Sequence, residues 1–222
     1  MNPRKIKTRR PKHTQDELRE FILAAATSLI EEGGLEALSA REVARRIGYS
    51  PGTLYNVFKD RDEIILMIES QLLDDLAAHL DAVDSQDNAR EHVIALANAY
   101  LEFTHAHANL WNLLFEHRLS DGQVSPTWYQ EKIDGLMDKL EAAVAPLTAG
   151  RHRVGGQLSA RVLWAGVHGI TSLSAAGKLT SFTNEAAQKL VQNLVATYLD
   201  GLASEKTTSA QPAARKPSRQ RT

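Results

Sequence analysis

The sequence predicts an all-α protein of about nine helices. Apolar residues recur at helical spacing along almost the whole chain, cap signals cut that pattern into segments, and no stretch alternates as a strand would. The 222 residues fall into four stretches: a basic arm (1–13), a three-helix unit (14–60), a larger helical domain (61–203) and a basic tail (204–222). Both terminal stretches are too polar to bury a core and are expected to be disordered.

Thr14 and Glu17 make a capping box for the first helix, whose apolar face is Leu18, Phe21, Ile22, Ala25 and Leu29 before Gly33–Gly34 stops it. Ser39 and Glu42 repeat the box for a short second helix with Val43, Ala44 and Ile47 on one stripe. Gly48 then supplies the positive φ of a tight turn. Ser50 as cap and Pro51 at the first helical position start a third helix. Its Leu54, Val57 and Phe58 face back, leaving Thr53, Tyr55, Asn56 and Lys59 outward. Two short helices around a glycine turn, with a polar outer face on the second, are a helix-turn-helix.

Asp60 and Glu63 cap a long helix with Ile64, Met67, Ile68, Leu72, Leu76 and Leu80 as its stripe, ending near Asp84–Asp87. Residues 88–118 read as helical throughout, 119–125 as a loop, and 126–149 as a helix ended by Gly150. The segment RHRVGG (151–156) reads as a basic turn. Two last helices cover roughly 157–178 and 184–203.

Composition narrows the function. With no Cys there is no disulfide framework, thiolate zinc site or cysteine nucleophile. No run of about 18 apolar residues is present, so no membrane partner is expected and a cytoplasmic location is. The net charge of −1 is unevenly spread. Residues 1–61 hold 12 Lys/Arg against 8 Asp/Glu, a net of +4 at the helix-turn-helix end, as a phosphate-facing surface requires. Residues 62–202 hold 9 against 18, net −9, and 203–222 hold 5 against 1, net +4. The acidic middle argues against nucleic acid there.

The wording YSPGTLYNVFKDRDEI, within a match from about Thr14 to Ile68, resembles the DNA-binding domain of the tetracycline-repressor (TetR) family. The resemblance implies a helix-turn-helix DNA-binding domain at 14–60 and a ligand-binding, dimer-forming helical domain at 61–203. Candidate DNA-binding residues are Arg41, Ser50, Pro51, Gly52, Thr53, Tyr55, Asn56 and Lys59. By the same resemblance Arg41 reaches a base or phosphate. Thr53, Tyr55 and Lys59 grip the backbone, and Pro51–Gly52 allow close approach. Arg9, Arg10 and Lys12 of the arm are candidates for added phosphate or minor-groove contacts.

The middle domain concentrates aromatic side chains. Tyr100, Phe103, Trp111, Phe115, Trp128 and Trp164, with His168, are candidates to line a ligand cavity, although each equally suits a core position. Trp164, His168 and Ser172 share one face of their helix. Gly166 and Gly169 lie on another, with Val162 and Leu173. The Trp-x-x-x-His-Gly wording resembles the C-terminal domain type of the family known for a "WHG" motif. Leu190, Leu194, Val195 and Tyr198 make the final helix apolar on more than one face. These four, with Val162, Gly166, Gly169 and Leu173, are the expected dimer interface.

His105 and His107 stand two apart and point away from one another, so no metal site is expected. His79, His92 and His117 read as surface or boundary residues. No Gly-rich phosphate loop, carboxylate pair or nucleophile elbow is present, so neither an enzyme nor a cofactor is expected. The resemblance implies a homodimeric repressor on a near-palindromic operator in double-stranded DNA, released by a small, largely apolar effector. Two alternatives from other classes stand beside it. One is an architectural or division-linked DNA-binding protein without an inducer, and the other a helical enzyme with an incidental helix-turn-helix.

Overall fold

A computed structural model of the chain describes residues 13–84, 87–120, 122–149 and 153–209. Among them are nine α-helices, two short 3₁₀ turns and no strand. The arm residues Arg9, Arg10 and Lys12 and the tail from 210 lie outside the described residues. The chain forms two compact units.

The first unit comprises residues to Leu72 and then His107–Pro126. Helix α1 (Gln15–Gly33) begins at the full capping box, with the Glu17 N–H on Thr14 Oγ1 and the Glu17 carboxylate on the Thr14 N–H. It ends at Gly34, whose φ of 70° a side chain would resist. After a 3₁₀ turn (Leu35–Ala37), α2 (Ala40–Ile47) begins at Ser39, whose hydroxyl accepts the Glu42 N–H at 3.2 Å. Only that half of the expected box forms, because Glu42 turns its carboxylate to Arg45 and Arg46.

Gly48 closes α2 in the left-handed region, φ 75° and ψ 32°, and the Tyr49 N–H reaches back to the Ala44 carbonyl at 2.9 Å. That return bond is the Schellman arrangement, and it reverses the chain into α3. Helix α3 (Pro51–Leu54) is a single turn, shorter than the sequence pattern implies; bends and turns carry the chain to Asp60. Helix α4 (Arg61–Asp81) opens with the Glu63 N–H on Asp60 Oδ1 at 2.8 Å.

Ile22, Ala26 and Ile30 of α1 are buried with Val43, Ala44, Leu54, Phe58, Ile65 and Ile68. Each of these side chains larger than alanine contributes about 1.5–3 kcal/mol of transfer free energy. The expected continuous helix over 88–118 is broken: α5 (Ala89–Ala106) stops and α6 (Ala108–Glu116) restarts at His107, whose φ of −119° and ψ of 35° are not helical. Helix α6 belongs to the first unit and packs on α1, burying Leu110, Trp111 and Leu113.

The second unit comprises Leu73–Ala106 and the chain from Thr127. It holds the end of α4, α5, α7 (Thr127–Thr148), α8 (Arg153–Ala175), a 3₁₀ turn (Leu179–Ser181) and α9 (Ala187–Ser209). Helix α5 packs on α7, α8 and α9, and α8 packs on α7 and α9. Val93, Leu101, Val144, Leu163, Val167, Val191 and Leu199 are among its buried aliphatics. The expected turn at 151–156 is in part helix: α8 begins at Arg153, and its Gly156 sits where a Cβ would meet Thr148 Oγ1 at 3.2 Å.

Candidate nucleic-acid interface

The helix-turn-helix is held from behind by three side-chain clamps. Arg46 of α2 donates to Glu32 and Ser28 of α1, with Nη1 at 2.8 Å from Glu32 Oε1 and 3.0 Å from Ser28 Oγ. Those hydrogen bonds, Arg46 foremost, hold the Glu32 carboxyl down to about 2. The Arg19 guanidinium lies 4.4 Å over the Phe58 ring and reaches Glu63 at 3.5 Å. Gln15 at the start of α1 donates to the Asn56 carbonyl at 3.5 Å. Arg46 is thus tied into the scaffold, while among the described residues Arg45 pairs with Glu42 of its own helix.

What the clamps present outward is polar. Arg41, Ser50, Pro51, Gly52, Tyr55, Asn56 and Lys59 are all exposed, and Thr53 is half-buried. Tyr55 keeps 51% of its surface and the Lys59 side chain 78%. Ser50 is at the N-cap position of α3 with extended backbone, but its hydroxyl does not cap the helix. It lies 3.1 Å from Thr53 Oγ1 instead, so these two hydroxyls share a hydrogen bond. Val57, expected to face back, is half-buried beside the fully buried Leu54 and Phe58.

Sequence reasoning missed Gln15, Arg19 and Arg46, which shape this surface from behind. All three are polar, and only the three-dimensional adjacency of 15 with 56, 19 with 58 and 46 with 32 reveals the clamps.

The residues expected to line one cavity are divided between the two units. Trp111 and Phe115 belong to the first unit, with ring centroids 5.9 Å apart and Phe115 exposed. In the second unit Phe103 is buried with His79 against it at 5.6 Å, and the part-exposed Trp128 lies edge-on to Tyr129. Tyr100, Trp164 and His168 do come together. The indole and imidazole stack at 5.4 Å and 11°, and the Tyr100 hydroxyl lies 3.0 Å from His168 Nδ1. Burial raises the Tyr100 hydroxyl's pKa, and burial holds His168 below the usual imidazole value, hence neutral.

Of the expected dimer residues, Val162, Gly169 and Leu173 form an exposed stripe on α8. Gly166 does not join it, since a Cβ there would stand 2.7 Å from Leu194 Cδ2 of the same chain. Val195 is 1% exposed and belongs to the protomer's own core. Leu190, Leu194 and Tyr198 are half-buried.

Residues 22–68 match the family described as bacterial regulatory proteins, tetR family, and residues 93–198 match the tetracyclin repressor-like C-terminal domain. The chain belongs to the TetR family. A solved structure of a protein of unknown function from Rhodococcus sp. RHA1 superposes with a TM-score of 0.71 at 27% identity, covering 89% of this chain and all of that one. A TetR-family transcriptional regulator from Streptomyces coelicolor, 16% identical, shares the fold with a TM-score of 0.66 over 87% of this chain and 83% of its own. An HTH-type transcriptional regulator of Staphylococcus aureus is 28% identical over 85 residues, which are 38% of this chain. The matched stretch spans less than half, 46%, of that relative's length. The TetR N-terminal match contains Arg41 and the turn from Gly48 to Lys59; the C-terminal match contains the Tyr100–Trp164–His168 group.

Proposed function

We propose that this TetR-family regulator is a homodimeric repressor that binds a near-palindromic operator and leaves it when a small, largely apolar molecule occupies the second unit. The observation that carries the DNA reading is the exposed row Arg41, Tyr55, Asn56 and Lys59 on a rigidly clamped turn. Arg41 and Lys59 neutralise phosphates, the Tyr55 and Thr53 hydroxyls donate to phosphate oxygens, and the Asn56 amide is suited to a base edge. Two copies on successive major-groove faces stand about 34–36 Å apart or slightly more. The exposed stripe Val162, Gly169 and Leu173 supports pairing through α8, with the small residue allowing close helix approach.

The Tyr100–Trp164–His168 group supports an effector site in the second unit: two aromatic faces with few polar atoms. An effector acts only if it favours the released state over the bound one. The regulator is tested by fluorescence anisotropy on DNA from upstream of its own gene, with scrambled DNA as control, at several salt concentrations and then against a small-molecule panel. Selective binding released by a compound is the expected result. Tyr55→Ala with Lys59→Ala abolishes binding while helicity and dimerisation remain; loss of the fold or dimer would make those residues structural. Selective binding that no compound releases favours the architectural alternative, and binding no tighter than to scrambled DNA refutes the DNA reading.

A further inference from the structure

Among the described residues, Glu69 is the only buried charged residue, 2% exposed on the inner face of α4. A carboxylate in that position is costly unless paired and hydrogen-bonded. Its partner is His117, just past the end of α6, whose side chain keeps only 6% of its surface. His117 Nδ1 lies 3.0 Å from Glu69 Oε1, and Nε2 lies 3.4 Å from Asp62 Oδ1, two turns earlier on α4. Asp62 is closed off on its other oxygen by Ser120, whose hydroxyl and N–H donate at 2.6 and 3.1 Å.

The geometry sets the charge. A neutral imidazole has one N–H and one lone pair, so it satisfies one carboxylate and turns a lone pair on the other. Only the imidazolium donates on both sides. We propose that Asp62, His117 and Glu69 form a proton-controlled latch, in which charged His117 holds residues 117–120 against α4 and its deprotonation releases them.

The surroundings agree. Burial by itself pushes the His117 ring down, but the hydrogen bonds and charges of Glu69 and then Asp62 outweigh it, and the net displacement is upward. Asp62 is held below the usual carboxylate value, first by the Ser120 hydroxyl, then by the Ser120 N–H and His117. Among the described residues, His117 forms ion pairs with Glu69 and Asp62 alone. Glu116 and Arg118 beside it are exposed. On α1 and the 3₁₀ turn, which pack on α6, Glu31 receives Asn109 through its backbone carbonyl, Glu32 is taken by Arg46, and Glu36 is exposed. The latch lies wholly in the first unit and stands whether or not the chain is a ligand-released repressor.

Histidine-ring NMR on the full chain between pH 5 and 9 tests it, with the His117 signals assigned by their loss in His117→Gln. The expected midpoint lies above the ordinary imidazole value of about 6.5. In Glu69→Gln it falls by about one unit or more, as removal of an adjacent opposite charge requires. The Ser120 backbone amide shifts with the same midpoint in the parent chain and stops titrating in His117→Gln. A His117 midpoint at or below the ordinary value overturns the latch, and so does a Ser120 amide that ignores it. Should Glu69→Gln fail to fold, Asp62→Asn and the parent titration still decide.

Discussion

Gly166 and Gly169 lie three positions apart in α8, and the same substitution should move stability in opposite directions at the two. Replacing an interior helical glycine by alanine gains about 1 kcal/mol of helix propensity. At Gly169 a Cβ meets no atom within 4 Å, so nothing in the protomer offsets that gain. At Gly166 the new Cβ lands 2.7 Å from Leu194 Cδ2, well inside the comfortable carbon–carbon separation of about 3.5–4.0 Å. Overpacking of this kind costs about 1–3 kcal/mol, and the flexible end of a half-buried leucine can relieve part of it. The net expectation for Gly166→Ala is a loss of about 0–2 kcal/mol, against a gain of about 1 kcal/mol for Gly169→Ala. Thermal unfolding followed by far-UV circular dichroism reads the difference, at matched protein concentration because association raises apparent stability. Gly169→Ala should melt about 2–4 °C higher than the parent. Sedimentation reads association separately: Gly169→Ala weakens a dimer formed through the Val162–Gly169–Leu173 stripe. A Gly166→Ala variant as stable as Gly169→Ala would refute the packing argument, because Leu194 would then move aside without cost.

Ser39→Ala removes the hydroxyl that caps α2 and should cost about 1 kcal/mol, read as a lower urea midpoint. Phe58→Ala empties a position 1% exposed and should cost about 3–5 kcal/mol, while Phe58→Leu keeps most of the volume and loses about 0.5–1 kcal/mol of attraction to Arg19. Both are read from Trp111 fluorescence in a chain carrying Trp128→Phe and Trp164→Phe, and a Phe58→Leu variant as stable as the parent would discount the Arg19 contact. The latch residues give the first unit a pH profile. His117 is raised above 6.5, so its contribution is complete below 6.5 and fades as pH rises through the raised value; Asp62 is lowered below 3.8, so its contribution is present above 3.8 and fades as pH falls through the lowered value. The urea midpoint against pH should therefore fall on the alkaline side, and His117→Gln should flatten that limb; an unchanged limb in the variant refutes the assignment.

Much of the fold was legible because the signals that create it are local. Thr14 with Glu17, Ser39 with Glu42, and Gly48 act within a few residues of themselves, and each does in three dimensions much of what its neighbours in sequence imply. The outward row of Arg41, Tyr55, Asn56 and Lys59 was readable for the same reason. What escaped is non-local. Phe21 fits the apolar repeat of α1 yet is exposed beside His13, because the buried face is centred on Ile22, Ala26 and Ile30 instead. Helical spacing gives a stripe but not the direction from which neighbours arrive. His117 looked like a boundary residue because its partners are 48 and 55 positions away. Of the seven side chains that composition pools, Trp111 and Phe115 belong to the first unit and the other five to the second, where Tyr100, Trp164 and His168 come together.

The interleaving of the two units has a consequence for the order of folding. The chain passes between them after Leu72, after Ala106 and after Pro126, so α6 arrives for the first unit only once the 34 residues 73–106 have been made. On a ribosome adding about 5–20 residues per second, α1 to the middle of α4 wait seconds for Leu110, Trp111 and Leu113 to cover their side of the core. A gene fragment cut at residue 72 would therefore yield a nascent chain with an open apolar flank, a substrate for chaperones rather than a free-standing module. Grafting this regulator's front end onto another helical domain requires carrying residues 107–126 with it.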